Sequence, residues 1–234
     1  MIDIHCHLIY GVDDGSKSLE ESVDVLRDLK RSGFDSVILT PHYIKDSTYK
    51  SSRENNLRKL EILKKAIKDC NIDINLYLGN EIYIDEDITD LLENGTISSL
   101  NNSGYLLIEL PMSGDYPDYK DIFRYILNKG YRVILAHPER YVSFQKDFNK
   151  VYELERLGIY FQSNLDSILG RYGEAAEKTV KRLLKEKKIA FLATDIHHKK
   201  HDYHKWEEAK NIALKYISKR EWEIITKENP SQLI

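Results

Sequence analysis

Short apolar runs alternate along this chain with longer stretches whose apolar residues recur every three or four positions. Ile2 and Ile4 open it as a buried, β-branched strand. Ser36-Val-Ile-Leu-Thr40, Asn75-Leu-Tyr-Leu-Gly79, Tyr105-Leu-Leu-Ile-Glu-Leu110, Arg132-Val-Ile-Leu-Ala136, Ile159-Tyr-Phe-Gln-Ser-Asn164 and the run from Ile189 to Thr194 read as six more strands. Helical spacing fills the gaps. Val23, Leu26 and Leu29 follow a capping box at Ser18-Leu-Glu-Glu21, and Leu57, Leu60, Leu63 and Ile67 stripe residues 53–68. Further helices are expected over 119–129, 148–157, 174–187, 206–217 and 222–225, with a short turn over 88–92.

Seven strands alternating with helices imply parallel pairing and an α/β architecture. No internal repeat or linker-like stretch interrupts the chain, so residues 1–234 are expected to form a single domain. An open sheet and a closed barrel both fit the element order. The polar residues at the strand ends decide between them. His5, His7, His42, Glu81, Glu109, His137, Asp195 and His197 each fall at or within two residues of a strand's C-terminal end. A ring of strands brings such ends together over one mouth, whereas an open sheet spreads them along a line. The expectation is a seven-stranded (β/α)7, TIM-like barrel.

Composition narrows the class. The hydrophobic share of 41% beside 31% charged residues fits a soluble chain with a sizeable core, and a net charge of −3 argues against nucleic acid or an anionic membrane surface as partner. Two cysteines, Cys6 and Cys70, give no disulfide framework. Met1 leads straight into a strand, which predicts no signal peptide, and no apolar run is long enough to span a bilayer. A cytoplasmic location is expected.

His5 and His7 share one face of their strand, so both imidazoles aim one way and Cys6 aims the other. Asp195 and His197 repeat this spacing near the far end of the chain. Imidazole and carboxylate without thiolate suit Mn²⁺, Fe²⁺ or Zn²⁺. With Asp14 in the first loop, these groups exceed what one ion needs, so two or three divalent ions are expected, with Glu81 shared between neighbours. Such a cluster activates water and clamps the oxygens of a phosphoryl group, which favours hydrolysis of a phosphate ester. Arg140, three residues past His137, is placed to donate a fork of hydrogen bonds to phosphate. Neither cysteine has an arginine six residues later, which sets aside cysteine-based phosphatase chemistry.

The combination His5-x-His7, Pro41-His42, Gly79-x-Glu81, Glu109, His137-Pro-Glu-Arg140 and Asp195-x-His197 resembles the polymerase-and-histidinol-phosphatase (PHP) superfamily. Within it, Val12-Asp-Asp-Gly15, the Ile108-Glu109 strand and Ala136-His-Pro-Glu-Arg140 are similar to the bacterial tyrosine-protein phosphatases of capsule and exopolysaccharide operons. The resemblance implies a distorted seven-stranded barrel and a trinuclear site, usually manganese-dependent. It implies His5, His7, Glu81 and Asp195 around the first metal, Glu81, Glu109 and His137 around the second, and Asp14, His42 and His197 around the third. It implies a phosphate-contacting Arg140. Asp195 or His197 is, from its place in the cluster, a candidate for proton handling. The implied partner is the tyrosine-rich C-terminal tail of a bacterial tyrosine kinase that controls polysaccharide export, and an oligomer is compatible with the sequence. One departure is plain: where the family places another arginine beyond Asp-x-His, this chain has His198-Lys-Lys-His-Asp-Tyr-His204, with Lys199, Lys200 or His201 as replacement charges.

Three rivals share these residues. The same site could serve a small phosphomonoester such as histidinol phosphate, cleave a nucleic-acid phosphoester, or bind a kinase tail without turnover. The acidic balance weighs against the second, and the intact ligand set against the third.

Overall fold

The structure, a computed structural model, describes residues 1–114, 119–198 and 206–234. Among them, parallel strands and helices alternate as the sequence pattern requires. β1 (Ile2–Asp3), β2 (Ser36–Leu39) and β4 (Asn75–Leu78) form one parallel sheet in the order β1-β2-β4. β3 (His42–Tyr43), β5 (Glu81–Tyr83), β6 (Tyr105–Glu109), β7 (Arg132–Ala136), β8 (Tyr160–Asn164) and β9 (Phe191–Ala193) form a second, in sequence order.

The expected seven strands in one ring are therefore nine strands in two sheets among the described residues. The extra strands come from breaks in two runs. Pro41 has no N–H to give the ladder, and Gly79 comes so close to Leu100 that a Cβ there would meet its side chain at 2.6 Å. Hydrogen bonds nonetheless bridge both breaks: Gly79 N donates to Leu39 O at 2.9 Å and Glu81 N to Pro41 O at 3.2 Å. At the other edge, Cys6 pairs with Ile196, His7 N donates to Ile196 O at 2.8 Å, and Asp195 N to His5 O at 2.9 Å.

Two apolar clusters hold the strands. One lies between strands and helices and includes Leu26, Leu29, Leu63, Leu106, Ile108, Phe123, Leu135, Phe161 and Leu183; the other gathers Ile4, Ile38, Leu107, Ile134, Ala136 and Ala193 from the opposite strand faces. Strands buried on both sides explain why they read as continuous apolar runs. Each fully buried Leu or Ile contributes roughly 1.5–3 kcal/mol.

The helices are α1 (Leu19–Arg31), α2 (Arg53–Asp69), α3 (Ile88–Glu93), α4 (Tyr119–Asn128), α5 (Val142–Lys146), α6 (Asn149–Arg156), α7 (Leu165–Ile168), α8 (Glu174–Lys185), α9 (Trp206–Ala213), α10 (Lys219–Glu223) and α11 (Asn229–Ser231). The capping box expected at Ser18 is half made. Ser18 accepts from Glu21 N at 3.2 Å, but the Glu21 carboxylate accepts from Lys17 N, one residue too early. The complete box stands at Ser218 and Glu221, which starts α10 three residues before the expected helix at 222. Short α5 and α7 carry too few residues for a periodic stripe and were not expected.

Candidate metal centre

Gly15 allows the first loop to lie against the end of β1. A Cβ there would meet His7 O at 2.0 Å, and Ser16 N donates to that carbonyl at 3.0 Å. The loop thus carries Asp13 and Asp14 to the two histidines. Two strand-end residues, His137 (φ 33°) and Asp195 (φ 53°), adopt left-handed backbone conformations that non-glycine residues seldom take. Such turns recur where side chains must be aimed at a functional site.

All nine residues expected as ligands come together. His5 Nε2 and His7 Nε2 are 3.2 Å apart, and Glu81 Oε2 lies 3.2 Å from the first and 3.3 Å from the second. Asp195 Oδ1 lies 3.3 and 3.5 Å from the same nitrogens, so these four buried residues form one potential cation cage. His42, Glu81 and Glu109 form another, with His42 Nδ1 at 3.0 Å from Glu81 Oε2 and 3.8 Å from Glu109 Oε2. His137 Nε2 approaches the other oxygens of these carboxylates, at 2.9 Å from Glu81 Oε1 and 4.0 Å from Glu109 Oε1. A third group gathers His7, Asp14, His42 and His197, with Asp14 Oδ1 at 3.5 Å from both His42 Nε2 and His197 Nε2.

Two details depart from the grouping implied by resemblance. His42 faces two groups at once, Nε2 towards Asp14 and Nδ1 towards Glu81. His7 joins the third group as well as the first, because its ring stacks on His197 at 3.9 Å.

The electrostatics fit a cation cluster. Burial alone would raise the pKa of Glu81, but the charges of His5 and His42, together with the hydrogen bond from His137 and the close approach of His5, outweigh it and hold its carboxyl well below the usual range. Asp195 is likewise held low: burial would raise it, but His5, His7, His197 and His137 together outweigh that. Glu109 goes the other way, pushed up to about 9 by burial and by the negative charges of Glu81 and Asp195. Burial would lower His5, yet Glu81 and Asp195 raise it; burial and the charge of His7 press His197 down to about 4. Such like-charge crowding is costly unless cations neutralise it. Glu81 Oε2, Asp14 Oδ1, His42 Nδ1 and His137 Nδ1 are buried without a hydrogen-bond partner. Glu81 Oε2 in particular is ringed by three imidazole nitrogens yet has no hydrogen-bond partner, as an oxygen placed for a cation would be. Cys6 turns away from the cluster towards Ile38 O at 3.6 Å, so the donor set is nitrogen and oxygen only.

Arg140 stands at the edge of this cluster. Its Nη1 donates to Asp195 Oδ2 at 2.8 Å, and its guanidinium lies 4.4 Å from the centre of the Tyr172 ring. The neighbouring Glu139 turns inward instead, accepting from Asn164 N at 2.8 Å and Ser167 Oγ at 2.6 Å. Tyr49 stacks towards His42, with ring centres 6.0 Å apart. Lys199, Lys200, His201 and His204 lie outside the described residues; His198 stands 3.7 Å from Glu21.

Several buried partners escaped the sequence reading. Asp13 Oδ2 is 2.8 Å from His7 Nδ1 and also accepts from His42 N at 2.9 Å, while Asp13 Oδ1 accepts from Gly15 N at 2.9 Å. Gln162 and Asn164 link His5 to Asp195. The signal for the latter pair was present: two amides at alternate positions of a strand that is buried from Phe161 to Asn164.

Comparison with known proteins agrees with this geometry. The chain is 32% identical to the tyrosine-protein phosphatase CpsB of Streptococcus pneumoniae, covering all of this chain and 98% of that one. It is 31% identical to the tyrosine-protein phosphatase YwqE of Bacillus subtilis, over 86% of this chain and 78% of that protein. A crystal structure from the study of YwqE and CpsB, described as unique metal-dependent tyrosine phosphatases, superposes with a TM-score of 0.92 at 29% identity, covering 100% of this chain and 94% of that one. The phosphotriesterase homology protein of Escherichia coli shares the fold, with a TM-score of 0.63 at 14% identity over 99% of this chain and 97% of that one. Matched from residue 1 to residue 234, the chain belongs to the CpsB/CapC family of capsular polysaccharide synthesis.

Proposed function

We propose that this chain is a metal-dependent protein-tyrosine phosphatase acting in capsular or exopolysaccharide synthesis. The observation that carries the reading is the buried Glu81 carboxylate, within 3.3 Å of imidazoles from three separate stretches of chain, beside an Asp195 that accepts from Arg140. His5, His7, Glu81 and Asp195 would hold one ion, Glu81, Glu109, His137 and His42 a second, and Asp14, His42, His197 and His7 a third, with Mn²⁺ the first candidate. Divalent ions held there lower the pKa of water and neutralise charge on phosphoryl oxygens. Arg140 supplies a planar fork to those oxygens as the tyrosine leaves. Asp195 and His197 are read as cation-holding groups, because their other polar atoms are engaged. Asp195 Oδ2 accepts from Arg140 at 2.8 Å and from Asn164 Nδ2 at 2.6 Å, and His197 Nδ1 donates to Asp195 O at 2.9 Å.

The runs 2–7, 36–43, 75–83, 105–109, 132–136, 160–164 and 191–197 are read as seven staves of one distorted barrel and the chain as one domain. The bonds across both strand breaks and the Cys6–Ile196 pairing support this reading. The expected substrate is a tyrosine-phosphorylated protein in the cytoplasm, the tail of a partner kinase first. Among the described residues, no helix is long and apolar enough to cross a membrane.

The test is phosphate release from a tyrosine-phosphorylated peptide after chelation and readdition of Mn²⁺, Zn²⁺ or Mg²⁺, run beside small phosphomonoesters. Metal-restored activity that prefers the peptide supports the proposal. Preference for a small metabolite overturns the substrate, and peptide binding without phosphate release overturns the enzyme.

A further inference from the structure

β8 sets Gln162 and Asn164 on one face, two residues apart and both fully buried. Their amides span the distance from His5 to Asp195. Asn164 Nδ2 lies 2.6 Å from Asp195 Oδ2. An ionised carboxylate only accepts, so the amide must present its N–H there; turned over, it would bring two acceptors together. Asn164 Oδ1 therefore receives Gln162 Nε2 at 2.7 Å, which leaves Gln162 Oε1 facing His5 Nδ1 at 2.8 Å. An amide oxygen also only accepts. The direction of every bond in the series is fixed from the carboxylate end, and it ends by requiring a proton on His5 Nδ1.

We infer that Gln162 and Asn164 are positioning residues of the metal centre: together they lock His5 in the tautomer whose Nε2 lone pair faces the cation and hold Asp195 with Oδ1 free to ligate. The inference rests on reading the cluster as a metal centre. The geometry at the inner end agrees with it. His5 Nε2 lies 3.2 Å from Glu81 Oε2 and 3.3 Å from Asp195 Oδ1, and these oxygens are the cage of the first group. His7 is held differently, by the Asp13 carboxylate directly on its Nδ1. A second such carboxylate beside His5 would add a negative charge to a pocket already crowded by Glu81, Glu109 and Asp195. A neutral amide orients the ring without that charge.

The test begins with the unaltered protein loaded with Zn²⁺ and labelled with ¹⁵N-histidine, whose long-range nitrogen–proton correlations report which ring nitrogen carries hydrogen. His5 is expected to show hydrogen on Nδ1 and metal on Nε2; the reverse pattern overturns the inference. Gln162→Met keeps the side-chain length and removes both amide bonds. It is expected to weaken Zn²⁺ binding, measured by competition with a chelator, by about 10- to 100-fold. A folded Gln162→Met protein with unchanged affinity and an unchanged His5 spectrum overturns the inference while the metal centre stands. Absence of Zn²⁺ binding by the unaltered protein would overturn the metal centre itself, and this inference with it. Should Gln162→Met fail to fold, the tautomer of the unaltered protein still decides.

Discussion

Glu81 lies directly opposite His42 in the parallel pairing of β3 with β5, and its Oε2 stands 3.0 Å from His42 Nδ1. Paired residues on neighbouring strands project to the same face, so this register brings the carboxylate under the imidazole. From that position Oε2 also lies 3.2 Å from His5 Nε2 and 3.3 Å from His7 Nε2, while Oε1 meets His137 Nε2 at 2.9 Å. One carboxylate therefore touches four histidines.

Glu81→Gln keeps the shape of the side chain and removes its charge. If Glu81 bridges two cations, its loss should exceed the 10- to 100-fold effect typical of a residue that merely supports a ligand. The expected result is fewer bound metal ions per chain and a fall in kcat/KM on the order of 100-fold or more. Metal analysis and peptide dephosphorylation check it; full metal content with full activity would contradict the bridging role.

Metal loading should release protons. Burial and the charges of Glu81 and Asp195 raise Glu109 to about 9, and the surrounding carboxylates raise His5 and His7 despite burial. At neutral pH the metal-free cluster therefore holds protons that cations must displace. Affinity should weaken as pH falls further below 9, because proton competition grows as these raised groups fill. Calorimetric titration in two buffers of different ionisation enthalpy measures the release directly. Glu109→Gln should release fewer protons per chain, and identical apparent enthalpies in both buffers would contradict the claim.

Arg140→Lys keeps a positive charge but loses the planar fork and the stacking on Tyr172, whose ring centre is 4.4 Å from the guanidinium carbon. With Asn164 still donating to Asp195 Oδ2, the cation cage keeps its orientation. The expected outcome is unchanged metal content and a fall in kcat/KM of about 10- to 100-fold, since a charge-assisted bidentate contact becomes a point charge. A loss of metal equal to the loss of activity would move Arg140 from the substrate to the support of Asp195.

The site was more legible than the sheet. Residues such as Glu109 and Asp195 announce themselves because a carboxylate is costly in an apolar run without a cation. Their strand-end positions also follow from chain order alone. The division into two sheets did not show, because it depends on how Pro41 and Gly79 interrupt ladders between strands far apart in sequence. Asp13 was hidden for a related reason. Two adjacent aspartates look alike on paper, and only the turn at Gly15 decides that Asp13 goes inward to His7 while Asp14 faces His42 and His197. Gln162 and Asn164 carry no charge to betray them, so their direction-setting bonds emerge only from distances.

Tyr141 offers a stability test that leaves every cation-holding residue in place. Its ring is fully buried, and its hydroxyl donates to Ala136 O at 2.7 Å while accepting from Leu110 N at 3.0 Å. Those two backbone groups stand beside Glu109 and His137, at the ends of β6 and β7. Tyr141→Phe preserves the packing against Phe144, whose ring centre is 5.5 Å away, but leaves one buried donor and one buried acceptor without a partner. The expected cost is about 1–3 kcal/mol, the usual penalty for an unsatisfied buried polar group. Denaturant unfolding should show it as a lower midpoint at constant slope. Because the loosened strand ends carry Glu109 and His137, metal affinity should fall together with stability. A variant as stable as the parent would mean that water or a backbone shift replaces the hydroxyl, and the two strand ends would then owe their spacing to the ladder alone.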